Sequence, residues 1–100
     1  MAMLVEFRKP ELEDMLYDPK YRGSWPAAVV KAYHKVVNWV KQSVSSQDLR
    51  GKRSLRFEKL KGKRKHQCSL RLNNQYRLIV ELRSVNKTEV VRIIDIEDYH

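Results

Sequence analysis

Apolar positions along the chain follow two rhythms, and the change between them falls after Val44. Before it, "MLVEF" over Met3–Phe7 is a short apolar run bounded by charge and Pro10, which predicts a first strand. "PELEDMLYDP" sets Pro at a helix-start position with acids in the first turn, both favourable at a helix N-terminus. That helix is expected to be short, because Pro19 and Gly23 follow. In "PAAVVKAYHKVVNWVKQSV", Val29, Tyr33, Val36, Val40 and Val44 recur at three- and four-residue steps, the period of one helix face. Ser24 is placed to cap this helix, with Pro26 in its first turn. It is the longest helix expected, and its many valines mean that tertiary packing holds it more than intrinsic propensity does.

After Val44 the rhythm shortens. "SSQDLRGKR" reads as polar loop. Then come "SLRFEKL", a "KGKRK" turn, "HQCSLRL", "NNQ", "YRLIVELR", "SVNK" and "TEVVRIIDIED". Short β-branched runs separated by Gly or Asn turns predict strands joined by hairpins. Alternation in "CSLRL" puts Cys68, Leu70 and Leu72 on one face, with Ser69 and Arg71 on the other. In "YRLIVELR", Arg77, Ile79, Glu81 and Arg83 oppose Tyr76, Leu78, Val80 and Leu82. Helices first and an antiparallel meander second predict an α+β fold: a short N-terminal strand and two helices packed on an antiparallel β-sheet. No repeat, linker or low-complexity tract interrupts the chain.

Composition narrows the class. One hundred residues suffice for one core and not for two, so residues 1–100 are expected to form a single domain. A hydrophobic content of 42% suits a globule rather than a disordered chain. The single cysteine, Cys68, excludes an internal disulfide and fits a reducing compartment. There is no secretory signal pattern and no apolar run near the roughly 18 residues of a membrane span. The expectation is a soluble, cytoplasmic protein with no membrane partner.

The formal net charge of +9 points to a polyanionic partner. It is concentrated: Arg50 to Lys65 holds nine Lys or Arg residues and one acid, Glu58. A run like this is most often a solvated face. Here it flanks a predicted strand, which would hold the charges in place, and Arg71 and Arg77 project from neighbouring strands. Fixed guanidinium groups bind phosphate in a bidentate way, and lysine adds a point charge. Such contacts give affinity for a phosphate backbone without sequence preference.

The remaining chemistry is sparse. His34 lies beside the apolar helix stripe and reads as structural. His66 and Cys68 stand two apart on one strand face, a weak zinc signal without a second matched pair. No Gly-rich phosphate loop and no Ser–His–Asp spacing occurs, so neither metal nor cofactor is expected. The chain closes on Asp98, Tyr99 and His100. Tyr99 can stack on a base, and a carboxylate with an imidazole can move protons. The α-carboxylate and Asp98 would both favour the imidazolium form of His100, poising it as an acid. Arg71, Arg77 and Lys61 could stabilise developing phosphate charge. Strict alternation sets Tyr99 on the face opposite Asp98 and His100; either the ladder ends before Asp98 or Tyr99 packs structurally.

"LRFEKLKGKRKHQCSLRLNNQYRLIVELR" followed by "IIDIEDYH" resembles the HigB branch of the RelE/ParE toxin superfamily. The matching motifs are "LKG", "SLRL", an Asn turn with "YR", and the closing "DYH". The resemblance implies a small α+β toxin that cuts mRNA without a metal, typically in the ribosomal decoding site. It also implies inhibition by a HigA-like helix-turn-helix antitoxin. The matched positions are Lys61, Arg71, Arg77, Asp98, Tyr99 and His100. The resemblance gives the basic residues to phosphate and transition-state charge, and the last three to proton transfer and base contact. Lys59, Lys63, Arg64 and Lys65 are expected to add RNA contacts. One position departs: some relatives carry His two residues before the Leu of "LKG", where this chain has Glu58. Glu58 could act as base or pair with Arg77 or Lys61, which leaves the general base open between Glu58 and Asp98. Two rival functions remain, a superfamily toxin that poisons DNA gyrase by binding and a non-catalytic basic nucleic-acid-binding domain.

Overall fold

The structure, a computed structural model, describes residues 3–18, 20, 21, 23 and 25–98. Strand β1 (Leu4–Phe7) leads into helices α1 (Pro10–Tyr17), α2 (Ala27–Gln42) and α3 (Ser46–Gly51). A 3-10 turn at Arg53–Leu55 precedes the two-residue strand β2 (Glu58–Lys59), and a second at Gly62–Arg64 precedes β3 (Gln67–Arg71). Strands β4 (Tyr76–Val85) and β5 (Thr88–Asp98) complete a five-stranded sheet of order β1-β5-β4-β3-β2. The fold is α+β, as the two rhythms predict. The sheet is mixed rather than antiparallel throughout, because β1 pairs with β5 in parallel, Leu4 opposite Val90 through Phe7 opposite Ile93.

Helix α1 has Pro10 in its first turn and buries Leu12 and Met15. Helix α2 buries Val29, Tyr33, Val36, Val37 and Val40. Its predicted stripe fails at Val44, which is 63% exposed. The helix stops at Gln42 because Ser43 turns extended, its hydroxyl donating to the Trp39 carbonyl at 2.8 Å. Tyr33 ties the two helices together, its hydroxyl donating to the Leu12 carbonyl at 2.7 Å. The proposed cap, Ser24, lies outside the described residues.

Two stretches differ from the expected pattern. "SSQDLRG" is not loop: the Ser45 hydroxyl accepts from the Gln47 N–H, Asp48 accepts from the Val44 N–H, and Leu49 is buried, which together make α3. "SLRFEKL" is not one strand either. Leu55 drops into the core from the 3-10 turn, and Arg56 adopts a left-handed backbone with φ 44°. For a non-glycine residue that conformation costs roughly 1–2 kcal/mol.

The helices cover one face of the sheet, where Cys68, Leu70, Leu78, Val80, Val91, Ile93 and Ile96 join Met3, Leu12, Met15 and the α2 stripe. A bulge sets the phase of the other face. Ile79 pairs with Asp95 and Val80 with Ile93, so Ile94 is the extra residue. Core-facing positions therefore run Val91 and Ile93 before the bulge and Ile96 after it. The same slip brings Asp95 and Glu97 into register with Ile79 and Arg77.

Candidate functional site

Arg71 and Arg77 are direct register partners on β3 and β4. Like charges so opposed are destabilising, which marks the pair as unusual for a purely structural sheet. The β3–β4 turn holds one wall. Asn73 Oδ1 accepts from the Gln75 N–H at 2.9 Å and the Tyr76 N–H at 2.8 Å, an Asx turn that fixes the strand ends. Arg71 folds back on that turn, its Nε donating to the Asn73 carbonyl at 3.3 Å and its Nη2 to Asn74 Oδ1.

Arg77 is braced from beneath. Its Nε donates to Ser69 Oγ at 2.9 Å and its Nη2 to the Ser69 carbonyl at 3.2 Å. Nη2 also donates to the carbonyl of Arg56, the residue in the left-handed conformation. Ser69 is fully buried, so it is a fixed support. Together Arg56, Arg71, Asn73, Asn74 and Arg77 line a polar cleft of about 250 Å³. Among the described residues no carboxylate lines it. A cleft of this kind suits a phosphate, with planar donors fixed before the anion arrives.

The other sequence-predicted residues spread around this cleft. Glu58 is the register partner of Ser69, on the row that supports Arg77. It is exposed and makes no ion pair among the described residues, so the expected pairing with Arg77 or Lys61 is absent there. Lys61 is exposed at the head of the second 3-10 turn, and Lys59, Lys63 and Lys65 are exposed nearby. Arg64 has a structural attachment: its guanidinium pairs with Glu97 through contacts of 3.0 and 2.6 Å, while Nε donates to Gln67 at 3.0 Å. Glu97 is in turn the register partner of Arg77. The ladder continues through Asp98, which pairs with Tyr76 and accepts from Gln75 Nε2 at 3.0 Å. Strand alternation thus sets Asp98 out of phase with Arg77. Tyr99 and His100 lie outside the described residues.

A family model described as HigB-like toxin, the RelE-like toxin of type II toxin–antitoxin system HigB, matches residues 5–100. The chain belongs to this family. It is 34% identical over 79 residues to Toxin HigB-1 of Vibrio cholerae serotype O1, covering 79% of this chain and 83% of that protein. In fold it is similar to a YoeB/ParE toxin from Agrobacterium tumefaciens, with TM-score 0.64 and 12% identity over 98% of this chain and all of that one. It is likewise similar to the YoeB-YefM complex from Staphylococcus aureus, with TM-score 0.58, 18% identity and coverage of 100% and 99%. The protein is therefore a HigB toxin of a type II toxin–antitoxin system.

Within this HigB-like chain His34, His66 and Cys68 do not line the arginine cleft. His34 Nε2 lies 2.6 Å from the Met15 carbonyl, as its position beside the stripe suggests. The expectation that His66 and Cys68 share a face is corrected. The His66 imidazole stands 3.4 Å from Glu81, whereas Cys68 is in the helix-side core. His66 precedes the first residue of β3, so the strand's alternation does not reach it. Burial raises the Cys68 thiol pKa, against a smaller opposing pull from Arg50 and Lys59, which makes it a poor nucleophile. No helix among the described residues is long and apolar enough to cross a membrane.

Sequence reasoning missed Ser69 and Arg56. A serine inside an apolar strand beside an arginine carries a faint signal at most. The left-handed backbone at Arg56 carries none, since no glycine or asparagine marks it.

Proposed function

We propose that this toxin is a metal-independent endoribonuclease that cuts mRNA on the translating ribosome, in the cytoplasm, with residues 1–100 acting as one domain. The observation carrying this reading is the pair of opposed arginines in a cleft that no carboxylate lines among the described residues, in a chain of the HigB family. A base removes the proton of a 2′-hydroxyl, and the 2′-oxygen attacks the adjacent phosphorus. The bond from phosphorus to the 5′-oxygen breaks, and an acid protonates that leaving oxygen. The products are a cyclic phosphate and a 5′-hydroxyl end.

Arg77 and Arg71 stabilise the extra negative charge on the five-coordinate phosphorus, with Lys61 contributing a mobile cation. His100 is the acid and Tyr99 stacks on a base beside the scissile bond. Glu58, on the row of Ser69, is better placed than Asp98 to serve as the base, because Asp98 alternates away from Arg77. Lys59, Lys63 and Lys65 add phosphate contacts, while Arg64 fixes the turn against Glu97.

A HigA-like helix-turn-helix antitoxin is the proposed protein partner. The family's description as a type II toxin–antitoxin system supports it, as does the structural neighbour being a YoeB-YefM complex. Translation in a reconstituted system, followed by primer extension on the message, tests the activity. Discrete cuts at codon positions are expected. An intact message with translation blocked would instead indicate a binder.

A further inference from the structure

A second groove opens next to the arginine cleft, and Arg71 is a wall of both. Its floor is one face of α2, where Ala32, Lys35, Val36 and Trp39 recur at helical spacing. Its far side is the segment from Lys52 to Leu55. Trp39 is 37% exposed although it is among the largest side chains of the helix. The Lys52 ammonium sits over its ring, 4.1 Å from the centroid. Lys35 and Lys52 make no ion pair among the described residues, and no carboxylate among them lines the groove.

We infer that this groove is a second RNA subsite, taking single-stranded nucleotides that flank the scissile bond, with a base displacing the Lys52 ammonium from the Trp39 ring and phosphates on Lys35 and the released Lys52. The parts are those that bind single strands without sequence preference: a cationic track and an exposed aromatic platform. Arg71 makes the track continuous with the cleft, so a strand leaving Arg77 reaches Trp39 past one shared side chain. An acidic protein segment would also match the charge. The indole in the middle of the track favours a nucleic acid, since every base offers a face to stack. The inference rests on the ribonuclease reading, which supplies the strand.

Fluorescence separates the two. In Trp25→Phe protein, Trp39 is the remaining indole, and an RNA of about eight nucleotides should quench it while one of about three quenches it weakly. In the otherwise native chain, Lys35→Ala with Lys52→Ala should weaken binding of the longer RNA at least about ten-fold, with little effect on the shorter. Equal affinity of the native and doubly substituted proteins for the longer RNA overturns the subsite. So do binding without a change in Trp39 emission, no binding at all, or a loss confined to antitoxin affinity. Failure of the ribonuclease reading looks different: the message stays uncut during translation, whatever stands at positions 35 and 52.

Discussion

Arg77 donates to the hydroxyl of Ser69 at 2.9 Å from a strand position where Ser69 is wholly buried. The guanidinium is thereby aimed before any phosphate arrives, and preorganisation of this kind is what makes electrostatic stabilisation effective. In the proposed ribonuclease Ser69 serves as a positioning residue for Arg77. Ser69→Ala should leave the fold intact and lower the cutting rate about ten-fold, with a smaller change in apparent message affinity. Ser69→Thr, which keeps the hydroxyl, should recover part of the loss. If alanine at 69 cuts as fast as serine, Arg77 is not held by this bond in any way that matters.

Lysine should fail to replace Arg77. One ammonium cannot donate to Ser69 and the Arg56 carbonyl and still keep donors for phosphate, whereas a guanidinium carries more N–H groups than these contacts use. Arg77→Lys is expected to lose most of the activity that Arg77→Ala loses, on the order of 100-fold. Near-native cutting by the lysine protein would reduce the role of Arg77 to charge alone.

The two carboxylates offered as base stand in different phases of the sheet, Glu58 opposite Ser69 and Asp98 opposite Tyr76. Glu58→Gln should therefore lower the cleavage rate more than Asp98→Asn. The reverse order would move the base to Asp98 and require that residue to reach across the strand edge.

Alkaline stability tests the core on the helix side. Burial raises the Cys68 thiol from its ordinary 9.0, and it raises the Tyr33 phenol well above its ordinary 10.0. In both cases the unfolded chain loses its proton first. The stabilisation is complete below the unfolded value and disappears as pH rises through the folded one. Urea midpoints should fall above about pH 9, less steeply in Cys68→Val. Below the phenol's ordinary 10.0, Tyr33→Phe should lower stability by about 1–3 kcal/mol, because the Leu12 carbonyl loses its donor. The deficit should shrink at higher pH, where phenol ionisation at this position destabilises the tyrosine protein alone. Parallel decline in the native and Cys68→Val proteins would show that the thiol is not the group titrating.

How much of this was readable from the residues depends on how local the cause is. The α2 stripe from Val29 to Val40, the alternation through Leu78 and Val80, and the Asn73 turn are local patterns and appear where the sequence puts them. The parallel pairing of β1 is not local, since four residues carry no mark of a partner some 86 positions away, as Leu4 and Val90 are. The bulge at Ile94 hides in "VVRII", where apolar residues stand in adjacent pairs on both sides of Arg92 and so give no clear alternation to read. It nevertheless decides that Glu97 faces Arg77 and Asp98 does not. Helix α3 could have been found: Ser45 followed three residues on by Asp48, then Leu49, is a capping pattern. For the candidate site, residue types single out the arginines and the Lys61 region. The support beneath them, Ser69 and the Arg56 carbonyl, exists only once the strands are paired.

The most direct test of the ribonuclease account is primer extension on one message, translated in a reconstituted system with native toxin, Arg77→Ala or His100→Ala. Discrete cuts are expected with the native chain, and cutting reduced about 100-fold or more in each folded variant. Undiminished cutting by Arg77→Ala, or an uncut message beside arrested translation with the native toxin, would contradict it.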